Sequence, residues 1–136
     1  MMISTKGRYA LRVMIDLAEN DTGSYIPLKE VAARQEISEK YLEIILKVLV
    51  QNQLLTGLRG KGGGYRLTKT PAEYTIGSIL RLTEDDLAPV SCMELGDEKC
   101  PRAGECRTLP LWKKLDELMN GFLDSITLAD LMRDDG

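Results

Sequence analysis

The most specific chemistry in the sequence sits in three cysteines. Cys92, Cys100 and Cys106 fall within 15 residues, separated by seven and then five residues, in a segment that also holds Gly and Pro. Three thiols so close together can converge on one metal centre; structural cysteines are more often scattered in apolar helices. Zinc prefers four protein ligands, with cysteines in closely spaced pairs that are absent here. Iron–sulfur clusters accept looser thiolate spacing. Spacing alone leaves three readings open: a metal or cluster site, a thiol redox sensor, or no role. An odd number of cysteines argues against a disulfide framework, and a reducing compartment is expected in any case. The chain contains no histidine, which excludes Ser-His-Asp and Cys-His catalysis and every His-containing metal site.

A second segment, Arg59-Gly60-Lys61-Gly62-Gly63-Gly64, combines glycine with two cations. It is not a P-loop, because the Lys-Ser/Thr ending is missing and no helix follows. By itself it reads as a hairpin turn free to take any backbone angle. Behind a three-helix unit it reads as a DNA contact. Arg59 at the hairpin base suits a minor groove, and Lys61 and Arg66 suit phosphates.

The elements that would position these groups follow from periodicity. Tyr9, Ala10, Val13, Met14, Leu17 and Ala18 repeat at helical spacing and predict a first helix over 4–20. A second helix follows Pro27. After a break at Gln35-Glu36-Ile37, Ser38 caps a third helix over 39–52, with Leu42, Ile45, Leu46 and Leu49 inward. Two short strands flank the glycine turn, the second being Tyr65–Thr68. That order predicts a winged helix-turn-helix, in which helix three enters the major groove and the wing touches the flank. Ser38, Glu39, Lys40, Tyr41 and Glu43 then occupy the part of helix three that reaches base edges. Glu43 can accept from a cytosine amino group or repel sites that offer only acceptors. Lys6 and Arg8, at the start of helix one, suit phosphates.

Thr75 caps a fourth helix. A long helix over 108–123 carries Leu111, Trp112, Leu115, Leu118, Met119 and Phe122 at steps of three and four, and a short helix closes the chain at 127–132. So much apolar surface on one helix must be buried, against a second copy or against helix one. The fold class is therefore mainly α with a small β-hairpin: a winged helix-turn-helix plus a long C-terminal dimerisation helix. The expected units are a DNA-binding domain over 1–82, a cysteine loop over 83–107 and a dimerisation segment over 108–136.

The 136 residues carry a net charge of −3. The charge is split. Residues 1–75 hold 11 Lys/Arg and 8 Asp/Glu, a net of +3, and residues 76–136 hold 7 and 13, a net of −6. The basic half can face an anionic polymer. No apolar run suits a membrane span, and the first residues lack a signal peptide's apolar core, so a cytoplasmic location with no membrane partner is expected.

Taken together, these residues resemble the Rrf-type family of bacterial winged-helix regulators. The likeness rests on Ser4-Thr5-Lys6-Gly7-Arg8-Tyr9-Ala10-Leu11, Ile37-Ser38 with Tyr41-Leu42-Glu43, Arg59-Gly60 with Gly62-Gly63-Gly64-Tyr65, the three cysteines, Leu111-Trp112, and Gly121-Phe122-Leu123 with Ile126-Thr127-Leu128. Within the family the chain is most similar to the iron–sulfur cluster regulators. The resemblance implies a transcriptional regulator, not an enzyme. It implies a homodimer on a palindromic operator in double-stranded DNA and an iron–sulfur cluster on Cys92, Cys100 and Cys106, [2Fe-2S] in preference to [4Fe-4S]. Cluster-biogenesis genes would be the targets. A cluster-free, thiol- or effector-responsive repressor of the same fold is the alternative. Two departures stand out. The family's cluster regulators complete ligation with a histidine three residues after the last cysteine, where this chain has Leu109. Its nitric-oxide sensors use an aspartate in helix one, where this chain has Arg8. The fourth ligand is thus open among Glu94, Asp97, Glu98, Glu105, a residue of the other protomer, a thiol or water.

Overall fold

A computed structural model describes residues 3–84 and 107–132. Helix α1 (Thr5–Glu19), α2 (Leu28–Gln35) and α3 (Glu39–Gln51) form a trihelical unit. Strands β1 (Leu55–Leu58) and β2 (Gly64–Leu67) form the wing, paired antiparallel with Leu55 opposite Leu67 and Leu58 opposite Gly64. A 3-10 turn (Pro71–Glu73) leads into α4 (Ile76–Thr83). Beyond the cysteine segment come α5 (Leu109–Ser125) and α6 (Leu128–Leu131).

Hydroxyl caps start the helices where orphan N–H groups need acceptors. Ser4 Oγ accepts from Gly7 N–H, Ser38 Oγ from Tyr41 N–H and Thr75 Oγ1 from Ser78 N–H. The α2–α3 turn is made by Glu36 in the left-handed region at φ 55°. The stripe Leu42, Ile45, Leu46 and Leu49 of α3 is fully buried against Val13, Met14 and Leu17 of α1 and Val31 of α2. A buried carboxylate fixes α1 to α2. Asp16 accepts from Arg34 at 2.8 and 3.0 Å and from Gln35 at 2.9 Å, so its charge is paired and its lone pairs are used.

The wing is locked to the helices at its return strand. Ile26 and Tyr65 exchange both backbone hydrogen bonds at 2.9 Å. This approach explains Gly64, at φ 149°, where a Cβ would lie 2.1 Å from the Ile26 carbonyl oxygen. Behind the wing, Tyr74 is buried. Its hydroxyl donates to Leu54 O at 2.7 Å and accepts from Thr68 N–H at 2.9 Å and Lys69 N–H at 3.0 Å. Tyr74→Phe leaves these groups without their partner and is expected to cost about 1–3 kcal/mol. A lower urea midpoint at unchanged slope would register this cost; an unchanged midpoint would refute it.

The C-terminal segment docks back onto the first unit. Leu128 lies in the main core, its N–H donating to Tyr74 O at 2.9 Å, and Ile76 N–H donates to Ile126 O at 2.9 Å. Arg81 of α4 clamps α5, reaching Asp124 at 2.7 and 3.0 Å and Asn120 at 2.8 Å. The guanidinium holds the Asp124 carboxyl below its ordinary range. One edge of α5 rests on α4 through Leu123 and Ile126, packed against Ile76 and Leu80. The other edge is open: Leu111, Leu115, Leu118 and Phe122 are exposed, and Trp112 and Met119 are half-buried. Helix α1 therefore does not cover the stripe. Among the described residues no helix is long and apolar enough to cross a membrane.

Candidate nucleic-acid interface

The cap that starts α3 also sets which side of it faces outward. With the leucine and isoleucine stripe sealed against α1 and α2, Glu39, Lys40, Glu43, Ile44 and Lys47 stand exposed. These side chains and the wing form the two walls of one groove. Glu43, Ile44 and Lys47 line it from α3, and Leu58, Arg59 and Gly60 from the wing. Arg59, Gly60 and Lys61 are all exposed, and Gly60 turns the tip at φ 90°. Lys29 lines the same groove from α2. Cations thus outnumber carboxylates across this face, the pattern that suits a phosphate backbone.

The structure separates the sequence-derived residues into two groups. Glu39, Lys40, Glu43, Arg59, Gly60 and Lys61 come together on the α3–wing face. The others, Ser38, Tyr41, Arg66, Lys6 and Arg8, are placed differently. Ser38 Oγ accepts from Tyr41 N–H at the helix cap, which leaves its hydroxyl proton to donate. Tyr41 is half-buried, edge-on to Tyr9 with ring centroids 5.8 Å apart, so its ring packs rather than projects. Arg66 donates to Gly23 O at 3.0 Å and lies 5.2 Å over the Tyr25 ring, tying the α1–α2 loop to the wing. Lys6 is half-buried, and exposed Arg8 donates to Thr5 Oγ1 at 3.3 Å.

Sequence reasoning missed what anchors the start of α1. Glu84, at the end of α4, accepts from Ser4 N–H at 2.9 Å and from Ser4 Oγ at 2.8 Å. Gly7 makes the room: a Cβ there would lie 2.1 Å from Glu84 Oε1. A glycine inside a helix costs stability relative to alanine, and that cost was the available signal of a close approach. Ile44, Lys47 and Leu58 were missed as well. The signal for Ile44 is its position, an apolar residue off the buried stripe.

Cys92, Cys100 and Cys106 lie outside the described residues, as do Glu94, Asp97, Glu98 and Glu105. Among the described residues no group of three or more His, Cys, Asp or Glu is placed to hold a metal ion. Neither position at which the resemblance implies a fourth ligand offers a donor. Leu109 is a buried hydrocarbon in the first turn of α5, and Arg8 is a hydrogen-bonded cation. The three thiols remain the donors whose chemistry fits an iron–sulfur cluster.

Comparison with known proteins places the chain in a family. The Rrf2 family model, described as an iron-dependent transcriptional regulator, matches residues 3–134. The HTH-type transcriptional regulator IscR of Serratia proteamaculans is 37% identical over 132 residues, spanning 97% of this chain and 79% of the relative. IscR of Klebsiella pneumoniae is 36% identical over the same length, spanning 97% of this chain and 80% of the relative. Among solved structures, CymR (YrzC), the global cysteine regulator of B. subtilis, superposes with a TM-score of 0.77 at 37% identity, covering 96% of this chain and 95% of that one. T. potens IscR superposes with a TM-score of 0.76 at 34% identity, covering 96% and 85%.

Proposed function

The chain belongs to the Rrf2 family of transcriptional regulators, and on that premise we propose that it binds a palindromic operator as a homodimer whose affinity is set by an iron–sulfur cluster on Cys92, Cys100 and Cys106. As a family member it is a DNA-binding regulator, not an enzyme. The observation that carries the DNA reading is the α3–wing face. Arg59 and Lys61 stand exposed on a hairpin whose return strand is pinned to Ile26. Rigid placement of a guanidinium beside a recognition helix lets it enter a minor groove while α3 occupies the adjoining major groove. Glu43 weakens contact with phosphates and so acts on discrimination among sites.

Three thiolates supply the soft donors of a cluster, and when bound it would give the protein a centre that responds to oxidants and to iron and sulfide supply. We favour [2Fe-2S], with cluster-biogenesis genes as targets, from the similarity to proteins named IscR. The chain's own residues transmit the state. The cysteine segment is bounded by Glu84, which holds the start of α1, and by Leu109, which opens α5. A cluster held between these two boundaries would act on both elements without touching a base. The missing fourth protein donor at Leu109 and Arg8, with identity to CymR as high as that to IscR, favours one second reading: a cluster-free thiol regulator.

The test joins binding to colour. The protein purified without oxygen should be brown, hold iron and sulfide, and change operator affinity when the cluster is removed. A colourless protein with full DNA binding and thiol-dependent release establishes the second reading. In either case Arg59→Ala should weaken operator binding by about 1–3 kcal/mol, and Lys61→Ala should weaken all DNA alike and lower the salt slope by about one. Unchanged affinity for both variants would refute the α3–wing interface.

A further inference from the structure

Helix α3 carries one residue that does not fit a solvated face. Ile44 is 49% exposed, yet it lies on the side of α3 turned away from the core. At about 100° per residue, Lys40, Ile44, Lys47 and Gln51 cluster opposite the buried stripe of Leu42, Ile45, Leu46 and Leu49. Every other residue of that outer cluster is charged or an amide. The remaining aliphatic residues of the helix, Val48 and Val50, are half-buried at its flanks. Ile44 is thus an apolar side chain ringed by Lys40, Glu43 and Lys47, with Leu58, 48% exposed, across the same groove.

We propose that Ile44 is a specificity-determining residue that reads the 5-methyl group of a thymine in the major groove of each half-site. The inference rests on the reading of α3 as the recognition helix. Four bases differ in what they show an apolar atom in that groove: thymine offers a methyl group, the others offer donors or acceptors. An isoleucine brought against a cytosine amino group or an adenine edge would strip water from a polar atom and return no hydrogen bond. Against a methyl group it buries hydrocarbon on both partners. Lys40, one turn earlier, and Lys47, one turn later, supply polar contacts on either side, with Glu43 beside them. The combination reads as one apolar position flanked by hydrogen-bonding positions.

The probe is operator DNA selected by the protein itself from a random duplex library. Each thymine is then replaced in turn, symmetrically in both half-sites, by deoxyuridine, which removes the methyl group and keeps the base pair. One position per half-site should lose about fourfold in affinity for each methyl deleted, the worth of one buried methylene-sized group. Ile44→Ala should bind thymine and uracil equally at that position and keep its methyl dependence elsewhere. Circular dichroism of the variant should match the parent, since the residue is half-exposed and alanine favours a helix. A flat uracil scan, or methyl dependence that persists unchanged in Ile44→Ala, overturns the proposal. If Arg59→Ala weakens binding in that same assay, only the Ile44 assignment falls. If Arg59→Ala and Lys40→Ala both leave affinity unchanged, the recognition face itself is wrong.

Discussion

Cys100→Ser protein purified without oxygen is expected to emerge colourless, with neither iron nor sulfide, and to melt within a few degrees of the parent after cluster removal. The same outcome is expected for Cys92→Ser and Cys106→Ser. The argument begins with the donor set. No histidine exists in the chain, and the two positions at which the resemblance implies a further ligand hold Leu109 and Arg8. Three thiolates are then the whole of the thiolate ligand set, and a serine hydroxyl, far less acidic than a thiol, does not replace one. Loss should therefore be nearly complete. The stability of the apoprotein should survive because the described core is made without these residues. Val13, Leu17, Leu42, Ile45, Leu49, Tyr74, Ile79 and Leu128 close it among α1–α4 and α6. Any serine variant that retains a full complement of iron and sulfide removes that cysteine from the site. Unchanged operator affinity with and without the cluster removes the sensing role.

The helices were legible because each rests on local signals. Ser38 was readable as a cap from its place before an apolar-periodic run, and Leu42, Ile45, Leu46 and Leu49 from their spacing alone. The wing was legible from two short apolar runs around a glycine turn. Contacts between groups distant in sequence left no such trace. Glu84 meets Ser4 across 80 positions, and neither residue breaks a pattern; only Gly7 hinted at it. Tyr74 lies between a 3-10 turn and a helix cap, where no period declares it buried, so the hydrogen bonds of its hydroxyl emerge only from the fold. Arg66 and Tyr41 show that residue type does not reveal local contacts either: Arg66 donates to a nearby carbonyl and lies over Tyr25, and the Tyr41 ring meets Tyr9.

Leu118→Glu is expected to convert a dimer into a monomer at micromolar concentration and to lower operator affinity by at least two orders of magnitude. Along α5, Leu111, Leu115, Leu118 and Phe122 recur at steps of four, three and four, the seam of two packed helices. They are 59%, 36%, 60% and 63% exposed in the single chain. Burying the exposed half of each is worth about 1 kcal/mol, and a symmetric pair of helices doubles the number buried. The opposite edge of α5 is already engaged: Arg81 clamps Asp124 and Asn120, and Leu123 packs on α4. The helix therefore presents its apolar seam outward from a fixed base. A carboxylate at 118 would be buried opposite its own symmetry mate, with neither water nor a counter-ion. Each monomer would then hold one recognition helix and one wing and could grip only half an operator. Leu118→Met, which keeps the volume and the apolar surface, should remain a dimer with parental affinity. Sedimentation equilibrium decides the matter: a monomeric parent at micromolar concentration, or a Leu118→Glu protein as dimeric as the parent, would show that α5 is not the interface.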